Sequence, residues 1–341
     1  MKKVLLYSCL LFALWMPLLA CAQQKLYFFM DPKDSLIGVK DDKGRVIIPP
    51  KGAPIMYFEP DEPITDSLIN LFDMDTTDTG TALSFGSTYN RKGKFLYRPL
   101  AYDNGPDYFE EGLARCVQKG KVGFVNEQGK IAIRPQWDWV SPFNYGYAFA
   151  CNGCYWDRDK DAEHPPMAFK ANAQTFYINR EGKTVSLMKQ RKTEKDLSVD
   201  GGYLPYPFRY TAGEQKILTE VSAMEVLSKI RNANYSEKRE GKDALLQFEI
   251  VGRPSAISPY YKIQGYRYGS FNKEDPFLFY RSVKGEYFHA GWDGNDRTPF
   301  KQWLKEQLES CAAYFEKHPD APNRFDVSKY QEQVKSPGPS R

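Results

Sequence analysis

The sequence contains three histidines in 341 residues and none of the short signatures that carry common chemistries. There is no G-x-S-x-G, no H-E-x-x-H, no P-loop and no dinucleotide fingerprint. The most familiar serine hydrolase, zinc protease, nucleotide hydrolase and dehydrogenase readings therefore have no carrier. No block of Lys or Arg occurs either: 47 basic and 43 acidic residues are scattered to a net charge of +4, so nucleic acid is not an expected partner. After Ala20 no apolar run reaches the roughly 20 residues that a membrane-spanning helix needs. What the chain has in abundance is aromatic side chains, at 15% with 23 Tyr and 22 Phe, which favour strands. With 26% charged and 42% hydrophobic residues, the composition suits a soluble globular protein of two domains rather than a disordered one.

The first 21 residues read as a secretory signal peptide. Lys2 and Lys3 give a positive start, and an apolar run from Val4 to Ala20, interrupted by Ser8 and Pro17, ends in small residues. Leu18-Leu19-Ala20-Cys21 resembles the lipobox of bacterial lipoproteins, which implies acylation of Cys21 and a membrane anchor at that residue. Ala20-Cys21-Ala22 also fits ordinary signal cleavage. The expectation is an exported protein, a periplasmic or outer-membrane lipoprotein, with soluble periplasmic or secreted as the alternative.

Self-comparison reveals a repeat. Asn or Asp, two residues, Gly, then Lys or Arg occurs four times, starting at Asp41, Asn90, Asn126 and Asn179. Apolar residues flank most copies, predicting strand, tight turn, strand, with the Gly supplying positive φ. Three copies then reach a proline, Pro49, Pro99 and Pro135. A second element, Phe109-Glu110-Glu111-Gly112-Leu113-Ala114, returns 34 residues later as Phe143-Asn144-Tyr145-Gly146-Tyr147-Ala148.

Phe109 to Ala150 resembles the bacterial WG β-repeat: an F-x-x-G-x-A lead-in, a strand, then Val122-Gly123-Phe124-Val125-Asn126 with Val122 where the family often has Trp, and an I-x-P exit. Ile37-Gly38-Val39-Lys40 opens another copy. The resemblance extends loosely over 25–190 and implies an all-β array of antiparallel hairpins. The family has no agreed catalytic residues and is regarded as a binding or scaffold module. Residues 51–80 read as an inserted loop.

The fourth copy is stretched: Gly112 to Gly129 spans 17 residues, Gly146 to Gly182 spans 36. The excess, within 151–173, holds Cys151-Asn152-Gly153-Cys154, Trp156, an acidic run and His164. A structural disulfide between Cys151 and Cys154 across a tight Asn-Gly turn is one reading. A metal site on Cys151, Cys154 and His164 is a second, weakened by the missing fourth ligand. A thioredoxin-like redox pair is a third, out of place in a hairpin. A stapled or solvated hairpin loop is the reading carried forward, with no metal and no cofactor expected.

Residues 191–212 read as a charged linker and 213–318 as a smaller α+β domain: a helix over Glu214–Arg231, strands at Ala244–Val251, Tyr260–Phe271, Phe277–Val283 and Glu286–Trp292, and a helix over Phe300–Phe315 capped by Thr298. Residues 319–341 read as a polar tail. Six tyrosines (260, 261, 266, 268, 280 and 287) suggest a Tyr-rich sheet face, and His289 is the one histidine in a well-patterned segment. The expected function is non-enzymatic: an exported binding or scaffold protein of the cell envelope, presenting WG-like hairpins to a protein or glycan. The rival is an envelope hydrolase, or a thiol- or metal-dependent factor, using the 151–164 loop or the sheet around His289.

Overall fold

The computed structural model describes residues 24–53, 59–73, 82–103, 105–161, 163, 165–255, 258–291 and 297–335. The signal segment with Cys21, and also His164, lie outside them. The protein is mainly β, with 43% of residues in strands and 16% in helices, and its sheets are antiparallel. The chain forms two compact units, the first ending at Pro106 and the second running from Asp107 and including Ala82 and Leu83.

In the first unit β1 (Leu26–Met30), β2 (Ile37–Asp41) and β3 (Val46–Gly52) form one sheet. β4 (Leu68–Leu71), β5 (Ser87–Asn90) and β6 (Phe95–Pro99) pair in that order, and a short hairpin of β7 (Ala101–Tyr102) and β8 (Gly105–Pro106) follows. Leu26, Val39, Ile48, Ile69 and Tyr89 close one core. The stretch 51–80, expected as a loop, thus supplies β4.

The second unit opens with β9 (Leu113–Gln118), β10 (Lys121–Asn126) and β11 (Ile131–Trp137). A four-stranded sheet follows: β12 (Trp139–Val140), β13 (Tyr147–Trp156), β14 (Met167–Asn179) and β15 (Thr184–Val185). The stretch expected as a linker contains a hairpin, β16 (Leu197–Val199) with β17 (Gly202–Leu204).

Next come two helices, α1 (Ala212–Ser222) and α2 (Glu225–Asn232). The single expected helix breaks at Ala223–Met224, and Thr211 with Glu214 forms a capping box at its start. A five-stranded sheet follows in chain order: β18 (Leu246–Gly252), β19 (Tyr260–Arg267), β20 (Lys273–Ser282), β21 (Tyr287–Ala290) and β22 (Arg297–Pro299). Thr298 belongs to β22, and Pro299 stands at the N-cap of α3 (Phe300–Lys317) without a side-chain cap. The stretch after Pro319 is not all tail, because α4 (Ser328–Lys335) buries Tyr330, whose hydroxyl bonds Glu225. α1 to α4 cover one face of the sheet, against Phe248, Ile263, Phe277 and Phe279.

The repeated pentapeptide builds the same turn four times. The side-chain oxygen of Asp41, Asn90, Asn126 and Asn179 accepts the N–H groups two and four residues on, at 2.8–3.1 Å. Gly44, Gly93, Gly129 and Gly182 sit at φ +79°, +76°, +70° and +75°, a left-handed conformation open to Gly at little cost. The pattern is therefore an Asx-type turn closed by its own first side chain.

The registers repeat as well. Ile37↔Gly52, Val39↔Ile48 and Lys40↔Val46 have the same shifts as Val122↔Trp137, Phe124↔Ile133 and Val125↔Ile131. A Cβ on Gly123 would stand 2.4 Å from the Pro135 nitrogen, and one on Gly38 2.9 Å from that of Pro50. The repeated bulge brings backbone onto backbone at this Gly. In this register Pro50, rather than Pro49, matches Pro135 and Pro99.

Candidate functional site

The two lead-in segments form tight hairpin turns. Glu110 and Leu113 exchange both backbone hydrogen bonds (2.9 and 3.0 Å), as do Asn144 and Tyr147 (2.8 and 3.1 Å). Both central residues have positive φ: Glu111 +52° and Gly112 +80°, Tyr145 +52° and Gly146 +76°. That is the type I′ pattern, and a non-glycine residue in its first position is strained.

Packing offsets the strain. Tyr145 is fully buried, stacked on Phe271 at 4.3 Å, and its hydroxyl accepts from Gln247 Nε2 at 2.7 Å. Glu111 accepts from the Tyr266 hydroxyl at 2.7 Å and from the Gly146 N–H at 3.0 Å. Burial pushes its carboxyl above the ordinary carboxylate range, although the Tyr266 hydrogen bond and the Arg180 charge pull the other way. Arg180 donates to the carbonyls of Glu111 (2.6 Å) and Val251 (2.9 Å). These two turns therefore dock the repeats on the β18–β19 half of the outer sheet face. Leu197, Leu204 and Val251 fill the same cluster, which makes the expected linker part of a core.

The sheet of β12 to β15 has one partly exposed aromatic face. Cys151 and Cys154 lie along the single strand β13 with Cα atoms 6.1 Å apart, sulfur bonded to sulfur. The chain folds tightly between them, as the Asn-Gly pair suggests, but inside β13: three extended residues would span about 10 Å. Gly153 sits at φ +82°, the pairing with β14 shifts there, and a Cβ on Gly153 would meet the Ala173 Cα at 2.9 Å. Asp138 holds that bulge by accepting the Gly153 N–H at 2.6 Å while pairing with Lys121 at 2.6 Å. Burial acts to raise its pKa, but these donors hold the carboxyl below the usual range.

Trp139 is paired with Cys151, Tyr177 with Phe149, Phe169 with Cys154 and Met167 with Trp156, so these side chains share one sheet face. Its rings form a chain: Trp156–Trp139 at 6.4 Å, Trp139–Phe149 at 6.3 Å and Phe149–Tyr177 at 5.5 Å. Phe169 is 53% and Trp156 38% exposed. The aromatic rings surround a buried sulfur pair and offer a surface that can bind. With the two sulfurs bonded to each other, neither is a thiolate ligand for a metal as it stands.

The expected sites in the C-terminal sheet separate. His289 is buried, stacked on Trp303 at 4.7 Å and 7°, with Nε2 2.6 Å from the Pro276 carbonyl. Burial lowers its pKa. Among the described residues, no acid, base or nucleophile side chain hydrogen-bonds to its ring, which is engaged by Trp303 and the Pro276 carbonyl. The six tyrosines do not share a face either: Tyr261 and Tyr287 pack against the helices, and Tyr260, Tyr266 and Tyr280 alternate to the other side. Tyr268 bonds Glu194 at 2.7 Å. Sequence reading missed Trp139 and Phe169 as members of one surface. The signal available was alternation at period two along β13 and β14, hidden by the bulge.

A sequence model of the family described as "WG containing repeat" matches residues 123–156. Over that span the chain is similar to a WG containing repeat. The matched span runs from Gly123 of β10 to Trp156 at the end of β13, so it includes Trp139, Phe149 and both cysteines. No curated protein shows significant similarity to the chain. Among the described residues no helix is long and apolar enough to cross a membrane.

Proposed function

We propose that this is an exported, non-enzymatic binding or scaffold protein of the bacterial cell envelope, tethered through a lipid on Cys21. In this reading residues 22–190 are the presenting domain. The α+β part, residues 213–318, is a second module held by the turns at Glu111 and Tyr145. The observation that carries it is the half-exposed aromatic face of β12, β13 and β14, built within the WG containing repeat and stiffened by the Cys151–Cys154 link. Large rigid rings give contact area at small entropic cost and suit a protein or glycan partner.

Two measurements test it. Labelling with a palmitate analogue should mark the wild-type chain and not Cys21→Ser, and an unlabelled wild type removes the anchor. A photo-crosslinking residue at position 169 should capture an envelope component that the same residue at exposed Val283 does not. Equal capture at both positions overturns the binding face.

A further inference from the structure

The outer face of the C-terminal sheet has two halves. On β18 and β19, Gln247, Val251 and Tyr266 are sealed by the repeats. On β20 to β22 no such cluster forms among the described residues. There Lys262, Tyr280, Phe288 and Pro299 lie in one cross-strand row, and Arg297 stands opposite Ala290. Arg297 is exposed on its own strand, yet its guanidinium lies 4.7 Å from the Tyr260 ring and 4.8 Å from the Tyr280 ring. Tyr260 meets Tyr280 at 5.9 Å and Phe288 at 5.8 Å. The small side chain of Ala290, directly across from Arg297, leaves room for the arginine stem to cross the face.

Neighbouring cations differ in one respect. Lys262 pairs with Glu127, Lys273 with Glu110 at 2.7 Å, and Arg281, on the helix side, with Glu220 at 3.2 Å. Among the described residues, the Arg297 guanidinium has ring contacts but no hydrogen-bond acceptor and no ion-pair partner. Contact with two rings holds the guanidinium in place while its N–H fork has no acceptor among the described residues, and such a fork matches a carboxylate. The Tyr260 hydroxyl also has no partner among the described residues. A glycan would need many more polar partners than this face offers, since Lys262 is engaged and the Ser282 hydroxyl bonds Glu286 at 3.2 Å. A peptide carboxylate flanked by apolar side chains needs only the fork and the rings of Phe288 and Tyr260.

We infer that the β20–β22 half of this face is a docking site for an acidic peptide segment of a partner protein, with Arg297 receiving a Glu or Asp side chain. It is separate from the aromatic face around Cys151 and does not depend on export or lipidation.

The test uses the full chain labelled with 3-fluorotyrosine, resonances being assigned by Tyr260→Phe and Tyr280→Phe. The probe is a short capped peptide with one Glu between leucines, and the control has Gln at that position. Saturable shifts at Tyr260 and Tyr280 are expected with the Glu peptide, with affinity at least tenfold weaker for the Gln peptide. Arg297→Lys should cause a loss of similar size, because an ammonium keeps the charge but not the fork. An unchanged melting temperature of that variant separates lost binding from lost folding. Equal binding of the Glu and Gln peptides, or undiminished binding by Arg297→Lys, overturns the proposal. Tighter binding of a glucuronate disaccharide than of the peptide overturns the assignment of the ligand.

Discussion

The turns at Asn126–Gly129 and Asn179–Gly182 have one geometry, yet the strands around them differ. In the earlier copy Gly123 and Pro135 meet across a bulge, and β10 pairs with β11 in a ladder reaching Val122↔Trp137. In the later copy the equivalent positions are Phe176 and Met188, the register stays constant, and β15 pairs only at Tyr177↔Val185 and Ile178↔Thr184. The turn is a local device, whereas the bulge requires two distant residues at once. Losing the Gly–Pro pair frees β14 to run on into the long arm that carries the aromatic face.

Gly123→Ala should break this contrast most sharply. Its new Cβ would meet backbone at 2.4 Å, and a loss of about 4 kcal/mol is expected by chemical denaturation. Phe176→Ala, at the equivalent place without a bulge, should cost less than about 1.5 kcal/mol because that ring is half-buried. Equal losses would mean that the bulge is not held by the glycine.

The shared turn gives the second comparison. Asn126→Ala and Asn179→Ala each remove an acceptor for two backbone N–H groups. Both should lose about 1–2 kcal/mol, and the two losses should agree closely. A gap of several kcal/mol between them would show that the turn depends on its surroundings after all.

The smallest effect concerns pH and sets Glu111 against Asp138. The folded pKa of Glu111 is raised above its ordinary value of 4.5. Its contribution is therefore fully present below that value and is lost as pH rises through the folded pKa. Asp138 is lowered from 3.8, so its contribution is present above 3.8 and is lost as pH falls through the folded pKa. Denaturation midpoints from pH 4 to 8 should show a decline with rising pH that Glu111→Gln removes and Asp138→Asn leaves in place. A slope unaffected by Glu111→Gln would place the buried titration elsewhere.

Much of the fold was legible because its devices are local. Asx acceptors, positive-φ glycines and alternating apolar residues announce four turns and most strands, including the C-terminal ones to within a few residues. The candidate site was less legible. Cys151-Asn152-Gly153-Cys154 folds tightly as its Asn-Gly suggests, but within β13 and with Asp138 accepting the Gly153 N–H, so it does not end the strand. His289 looks chemically available until Trp303, from a helix some 14 residues on, stacks flat against it. Tyr260 and Tyr280 face away from Tyr261 and Tyr287 simply because strands alternate, which composition cannot express.

The sequence by itself determined the repeated turns and the β-rich character, since these depend on residues within a few positions of one another. Only the tertiary structure decided which positions are joints and which are free surface. Glu111 and Tyr145 hold strained backbone because Tyr266, Gln247 and Phe271, more than 100 residues away in sequence, surround them. Among the described residues Arg297 has no ion-pair partner, because the acids that neutralise its neighbours, Glu127, Glu110 and Glu220, lie opposite other cations. Such pairings depend on proximity in space, and no span of sequence encodes them alone.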